Sequence, residues 1–284
     1  SDFQKDAVSS IYNNNDTLVC APTGSGKTLP AEFAIHLFHE RGRKVIYTTP
    51  VKALSNEKFN DLAKKFPNIS FGLLTGDNKF NPEADVIVMT TEILLNTLNK
   101  MSSLTLKEGK IKEALKETLD FDIDLTQLGA VIFDEIHYIN DPDRGPVWEK
   151  SIMKLPKTTI YVGLSATIHG PEKLCKWSQT PLPLGAGRGK MTLCETHHRN
   201  VPLEHYSFMS IPESNFKKMN TETTRMISEF VNKPILLKQQ DHPFQEKTYD
   251  KIKKVLKYVC DNRIVIKPSF IFNKMVEYLY NNSI

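Results

Sequence analysis

No Cys-x-x-Cys pair occurs in this 284-residue sequence; its four cysteines, Cys20, Cys175, Cys194 and Cys260, stand far apart. That spacing excludes zinc ribbons and redox dithiols, and it leaves reduced, mostly buried thiols of an intracellular protein as the expectation. No apolar run approaches the ~18 residues a membrane-spanning helix requires, so no membrane association is expected. The opening Ser1-Asp2-Phe3-Gln4-Lys5 lacks both an initiator Met and the basic-then-apolar character of a signal segment. The chain therefore reads as a piece of a longer intracellular protein, cytoplasmic or nuclear. Charge of one sign is scarce as well: 37 Lys and Arg against 33 Asp and Glu leave +4. So small a sum permits an anionic partner without making a strong global field. Repeats and low-complexity tracts are absent, and at 40 % hydrophobic and 25 % charged residues disorder over the whole chain is excluded.

What is present is an alternation. Short β-branched runs at Thr17–Cys20, Lys44–Thr49, Phe71–Thr75, Asp85–Thr90, Ala130–Asp134 and Thr159–Ser165 are nearly continuous in apolar residues, as buried parallel strands are. Amphipathic stretches at Leu54–Phe66, Thr91–Met101, Val147–Leu155 and Pro171–Gln179 fall between or after them. The pattern predicts an α/β fold, a parallel sheet sandwiched by helices, with ligands at the carboxyl ends of its strands. Asn99–Asp124 is polar and predicts a surface insert with a helix at Leu106–Leu119. The loop Pro181–Lys190 carries a Gly-Ala-Gly-Arg-Gly run, but no buried strand precedes it, which argues against a phosphate site. Beyond Arg199 the rhythm changes to an extended segment Val201–Phe208, helices near Thr221–Phe230 and Gln245–Cys260, and a last strand Ser269–Phe272. Domains are expected at 1–198 and, incomplete, at 199–284.

Two motifs carry chemistry. Cys20-Ala21-Pro22-Thr23-Gly24-Ser25-Gly26-Lys27-Thr28 follows a predicted strand and opens a helix, the context in which backbone N–H groups and the helix dipole hold a polyphosphate. Lys27 would face the β- and γ-phosphates and the Thr28 hydroxyl would ligate Mg²⁺. Ala21 stands where the strict pattern has Gly, a departure that one branch of nucleotide-driven motors shares. Val131-Ile132-Phe133-Asp134-Glu135-Ile136-His137 ends a strand in two carboxylates: Asp134 suits Mg²⁺, and Glu135, turned aside by strand alternation, can deprotonate an attacking water. His137 taken alone is more simply a hydrogen-bonded structural residue. Together the two motifs specify nucleoside-triphosphate hydrolysis.

Further runs follow in order: Phe3-Gln4, Thr48-Thr49-Pro50-Val51-Lys52-Ala53-Leu54-Ser55-Asn56, Thr75-Gly76-Asp77, Val88-Met89-Thr90-Thr91-Glu92, Asp134-Glu135-Ile136-His137 and Ser165-Ala166-Thr167. With the runs His137–Glu149 and Arg199–Tyr206, they resemble the superfamily-two helicases, and among these the Ski-like DExH RNA helicases that serve as exosome cofactors. The resemblance covers nearly all of residues 1–208 and resumes weakly at Pro268–Asn273. It implies two RecA-like domains and 3′-to-5′ movement on single-stranded RNA driven by ATP and Mg²⁺. The partners it implies are an RNA strand or an RNA duplex with an overhang and an exosome-type nuclease or adaptor, with the motor itself a monomer. By motif, Gln4 would read adenine; Thr23, Gly24, Ser25, Gly26, Lys27 and Thr28 would hold the nucleotide. Lys27, Asp134 and Glu135 would be catalytic, with Thr28 and Asp134 on the metal. His137, Ser165 and Thr167 would couple nucleotide to RNA. Pro50, Lys52, Ala53, Gly76, Asp77, Thr90 and Thr91 would line the RNA path through phosphate contacts that position a strand without reading it.

Some features depart from the resemblance or stand outside it. Asn200 replaces a usual Pro, and the arginine-bearing motifs of the second domain are missing, so weak nucleotide binding and negligible turnover are expected of these residues alone. Trp148 is expected to pack under the sheet, His197-His198 to be a polar strand end, and Lys251, Lys253, Lys254 and Lys257 to form a solvated face. A DNA helicase of the same superfamily, or a nucleotide-gated RNA scaffold, would carry many of the same motifs.

Overall fold

Strand β1 (Asp16–Cys20) is buried along its whole length, and the same holds for most of the strands around it. The computed structural model describes residues 1–104, 125–166, 168–199, 201–216, 219–239 and 242–282. By contacts the chain divides into two units, Ser1–Asn200 and Val201–Ile284. In the first unit β1 joins β2 (Lys44–Thr49), β3 (Phe71–Leu74), β4 (Lys79–Phe80), β5 (Val86–Thr90), β6 (Leu128–Phe133), β7 (Ile160–Ser165) and β8 (Met191–Glu195). The order across the sheet is β4-β3-β5-β2-β6-β7-β1-β8. All neighbours are parallel except β4, which returns antiparallel from β3.

Alternate residues of each strand feed two apolar layers, since successive side chains point to opposite faces. On one face Val19, Val45, Tyr47, Val88, Ile132 and Val162 pack against helices α1 (Asp2–Tyr12), α2 (Leu29–Glu40) and α3 (Lys52–Lys65) through Ala7, Ile11, Ile35, Phe38 and Leu62. On the other, Leu18, Ile46, Ile87, Val131 and Phe133 meet α4 (Thr91–Leu104), α5 (Gly145–Lys154) and α6 (Pro171–Gln179) through Leu94, Leu98, Trp148, Ile152 and Leu174. Each large aliphatic side chain so buried stabilises the fold by roughly 1.5–3 kcal/mol relative to exposure. The expected sandwich is present, mostly parallel, with β4 and β8 added to the strands the sequence pattern marks.

The expected insert helix Leu106–Leu119 lies outside the described residues, as do Thr167 and Asn200. The loop around Arg188 sits at the amino ends of the strands, away from any phosphate site. Arg188 Nε donates to Asp16 Oδ2 at 2.7 Å and Nη2 to Asp16 Oδ1 at 3.2 Å, and both residues are buried. Trp148 is fully buried, stacked on Tyr138.

In the second unit β9 (His205–Phe208) pairs antiparallel with β10 (Pro234–Lys238). Helices α7 (Thr221–Ser228), α8 (Glu246–Asp261) and α9 (Pro268–Asn281) complete it, with a core that includes Ile211, Ile227, Phe230, Ile252 and Val255. The expected strand Ser269–Phe272 is instead the first turns of α9. Four residues are too short a window to separate the two periods. Over the longer span the half-buried positions are Phe270, Ile271, Lys274, Met275, Tyr278 and Leu279, a helical repeat, and Pro268 starts it with its fixed φ.

Candidate active site

Strand order places the motifs along one carboxyl edge. Reading β3-β5-β2-β6-β7-β1, the edge carries Thr75–Asp77, Thr90–Thr91, Pro50–Ala53, Asp134–His137, Ser165 and the loop 21–28. The phosphate-loop half and the half with the expected RNA residues therefore meet at β6.

The loop after β1 keeps Ala21 and Pro22 buried and exposes Thr23, Gly24 and Gly26. Gly24 and Gly26 take φ of +81° and +83°, backbone that L side chains rarely adopt. A Cβ at Gly24 would meet open space, whereas at Gly26 it would stand 2.7 Å from Gln4 Nε2. Ala21 N–H donates to the Ser165 carbonyl at 3.0 Å and the Ser25 hydroxyl to the Pro22 carbonyl at 2.6 Å. Thr28 is the N-cap of α2. Gln4 Nε2 donates to the Gly26 carbonyl at 3.0 Å, so Gln4 is seated on the loop itself.

Lys27 Nζ lies 3.2 Å from Glu135 Oε1, and Glu135 Oε2 lies 3.3 Å from His137 Nδ1. The Ser165 hydroxyl is 3.5 Å from the same His137 nitrogen, the outer limit of a hydrogen bond. Glu135 departs from its expected geometry. The strand ends at Phe133, and Glu135 turns aside because its backbone is left-handed (φ 50°, ψ 47°) ahead of a 3-10 turn at Ile136–Asn140. Strand alternation is not the cause.

Asp134 is buried. Its Oδ2 accepts from the Tyr47 hydroxyl at 2.8 Å and its Oδ1 from the Glu135 N–H at 3.0 Å. Burial pushes the Asp134 carboxyl above the ordinary aspartate range, against the opposing pull of the Tyr47 hydrogen bond and the Lys58 and Lys27 charges. Tyr47 is a residue that motif reading misses. An aromatic hydroxyl amid an otherwise aliphatic and threonine strand is the only sequence signal for it. The hard oxygen donors of Thr28 and Asp134 beside an exposed loop of left-handed glycines fit a Mg²⁺-bound triphosphate.

The other half of the edge is mixed. Lys52 Nζ pairs with Asp77 Oδ2 at 2.6 Å, and a Cβ on Gly76 would lie 3.1 Å from that ammonium, so these three residues come together. Lys52, Ala53, Gly76 and Asp77 are exposed, while Pro50, Thr90 and Thr91 are buried. The Thr48 and Thr49 hydroxyls are committed within the chain, to the Ile132 carbonyl at 3.1 Å and to Ser55 Oγ at 2.7 Å. Thr91 Oγ1 is buried without a hydrogen-bond partner. Cys20, Cys175 and Cys194 are buried free thiols, and burial raises Cys20 to about 12. Among the described residues no group of His, Cys, Asp or Glu could hold a metal ion by itself, and no helix is long and apolar enough to cross a membrane.

Comparison with known proteins agrees with this arrangement. The family model for the DEAD/DEAH box helicase matches residues 1–174. The antiviral helicase SKI2 of Saccharomyces cerevisiae is 38% identical over 203 residues, 71% of this chain and 14% of SKI2. The exosome RNA helicase MTR4 of Homo sapiens is 37% identical over 206 residues, 72% of this chain and 17% of MTR4. Among solved structures, Mycobacterium smegmatis helicase Lhr bound to ssDNA and AMP-PNP is similar with a TM-score of 0.50 at 25% identity, covering 80% of this chain and 30% of Lhr. The chain thus spans less than a fifth of the length of either curated relative. Matched by that family model over more than half its length, the chain belongs to the DEAD/DEAH box helicase family, among its Ski-like members.

Proposed function

We propose that the protein is an ATP-driven RNA helicase that moves 3′ to 5′ on a single strand, and that residues 1–198 form its nucleotide-binding RecA-like domain. The placement of the Glu135 carboxylate 3.2 Å from Lys27 Nζ and 3.3 Å from His137 Nδ1 is the observation that supports hydrolysis. Gly24, Ser25 and Gly26 offer backbone to the phosphates, Thr23 flanks them, Lys27 faces the β- and γ-phosphates, and Gln4 fixes the loop from the adenine side. Thr28 and Asp134 would hold Mg²⁺, which when bound neutralises phosphate charge. Glu135 receives the proton of the attacking water, and the Lys27 ammonium holds its carboxylate in place beforehand. His137 and Ser165, with Thr167, relay the state of that site. Pro50, Lys52, Ala53, Gly76, Asp77, Thr90 and Thr91 form the strand-binding edge.

RNA is favoured because MTR4 is an exosome RNA helicase; an exosome-type nuclease or adaptor would be the partner of this protein as well. A DNA substrate is the second reading, since Lhr is similar and its structure holds ssDNA. ATP hydrolysis by the full-length protein, measured with matched single-stranded RNA and DNA and followed by unwinding of overhang-bearing duplexes, decides between them. RNA-selective stimulation supports the first reading, DNA-selective stimulation the second, and rates indifferent to nucleic acid contradict both. Residues 199–284 would be the start of a second RecA-like domain, and residues 1–284 alone would turn over ATP negligibly.

A further inference from the structure

Arg144 links the turns after β2 and β5 to the segment that follows the acidic motif. It lies at the start of α5, beyond the acidic motif, and its backbone N–H donates to Asp141 Oδ1 at 2.8 Å. A Cβ on Gly145 would stand 2.3 Å from the Ile139 carbonyl, so the chain is pressed against the turn after Glu135 just where Arg144 leaves it. From there the guanidinium donates to the Pro50 carbonyl after β2, and through Nη2 to Glu92 Oε1 after β5 at 2.7 Å. Its carbon also lies 5.3 Å from the Tyr138 ring centroid and 5.4 Å from that of Trp148. The Tyr138 ring lies 5.2 Å from the His137 ring, and His137 touches Glu135.

One planar cation thus contacts the Pro50 backbone, the Glu92 carboxylate next to Thr90–Thr91, and the aromatic neighbour of the histidine beside the general base. A guanidinium suits this because its Nη2 bonds two acceptors in the guanidinium plane while its face rests on aromatic rings; a lysine offers no such plane. We propose that Arg144 is a positioning residue that transmits strand engagement at Pro50–Ala53 and Thr90–Thr91 to His137 and Glu135. This rests on the helicase reading above. Arg144 touches neither the phosphate loop nor Asp134, so its loss leaves nucleotide affinity in place and uncouples hydrolysis from nucleic acid.

The test is ATP hydrolysis by the full-length protein with and without oligouridine or oligodeoxythymidine, for the unmodified chain, Arg144→Ala, Arg144→Lys and Glu92→Gln. In Arg144→Ala the stimulation factor falls at least tenfold, while the basal rate and the KM for ATP stay within about twofold. Arg144→Lys recovers part of the loss, and Glu92→Gln shows the same loss in weaker form. Stimulation at the unmodified level, or basal and stimulated rates falling in parallel, overturns the proposal. Should Arg144→Ala fail to fold, Glu92→Gln, which keeps the guanidinium on its rings and on Pro50, decides the matter alone. If the unmodified protein responds to neither oligonucleotide, the helicase reading itself fails and takes this inference with it.

Discussion

Glu135 is aimed by a single backbone angle. Its left-handed φ of 50° turns the carboxylate out of the strand direction toward Lys27 and His137, a conformation that costs a non-glycine residue on the order of 1–2 kcal/mol. Replacing it with Gln keeps the shape and removes the proposed proton acceptor. Glu135→Gln is expected to slow single-turnover ATP hydrolysis by roughly 10²–10⁴ while ATP·Mg²⁺ binding by calorimetry persists; comparable losses of both would place Glu135 in binding. Asp134 is the opposite case, a carboxyl whose pKa burial raises. A raised folded-state pKa favours the fold at low pH, and that contribution is lost as pH climbs through it. Thermal unfolding of Asp134→Asn and the unmodified chain should therefore diverge with rising pH, the variant gaining relative stability above the raised pKa. Mg²⁺-dependent nucleotide affinity of the unmodified chain should weaken as pH falls toward that value, because the metal needs the ionised form. A stability difference that stays constant from about pH 4 to about pH 8 would contradict the argument.

At the scale of elements, the phosphate loop is held by its neighbours as much as by its own glycines. Gly24 and Gly26 share nearly the same φ, yet only Gly26 faces the Gln4 amide of α1. Gly24→Ala is expected to cost about 1–2 kcal/mol of backbone strain. Gly26→Ala carries that strain and also displaces Gln4, so its ATP affinity should fall further than that of Gly24→Ala. Adding Gln4→Ala to Gly26→Ala should lower the affinity little further, because the Gly26 variant has already displaced that amide. Equal affinities for the two single variants would show that the Gln4 contact is irrelevant. The helix α9 offers the complementary lesson about reading elements. Ser269–Phe272 is apolar enough for a strand, and only the rest of the helix, to Asn281, reveals the helical period.

In the first unit a buried ion pair holds the amino ends of β1 and β7 together. Asp16 opens β1 and accepts from Arg188 and from the Tyr161 N–H, while Arg188 also donates to the Leu155 and Thr159 carbonyls. Removing one member of so buried a pair typically costs ~3–5 kcal/mol, because the other charge stays behind without its partner. Arg188→Met should therefore lower the denaturant midpoint of the unit markedly. ATP affinity in the surviving folded fraction should be unchanged, since the pair lies at the amino ends of the strands. A loss of affinity with undiminished stability would contradict this.

The strands of the sheet's centre, the Gly-rich loop 21–28 and the acidic pair are legible in the chain alone, because each is a local pattern: a buried apolar run, a Gly-rich turn between strand and helix, two carboxylates at a strand end. Lys27, Thr28, Asp134 and Glu135 could be singled out on spacing and chemistry alone. Which groups meet is set by the order of the strands across the sheet. Tyr47 reaches Asp134 across 87 positions of chain, and Arg144 reaches Pro50 across 94. Those contacts exist because the crossover connections of a parallel sheet bring β2, β5 and β6 side by side, a non-local fact that no window of neighbouring residues contains.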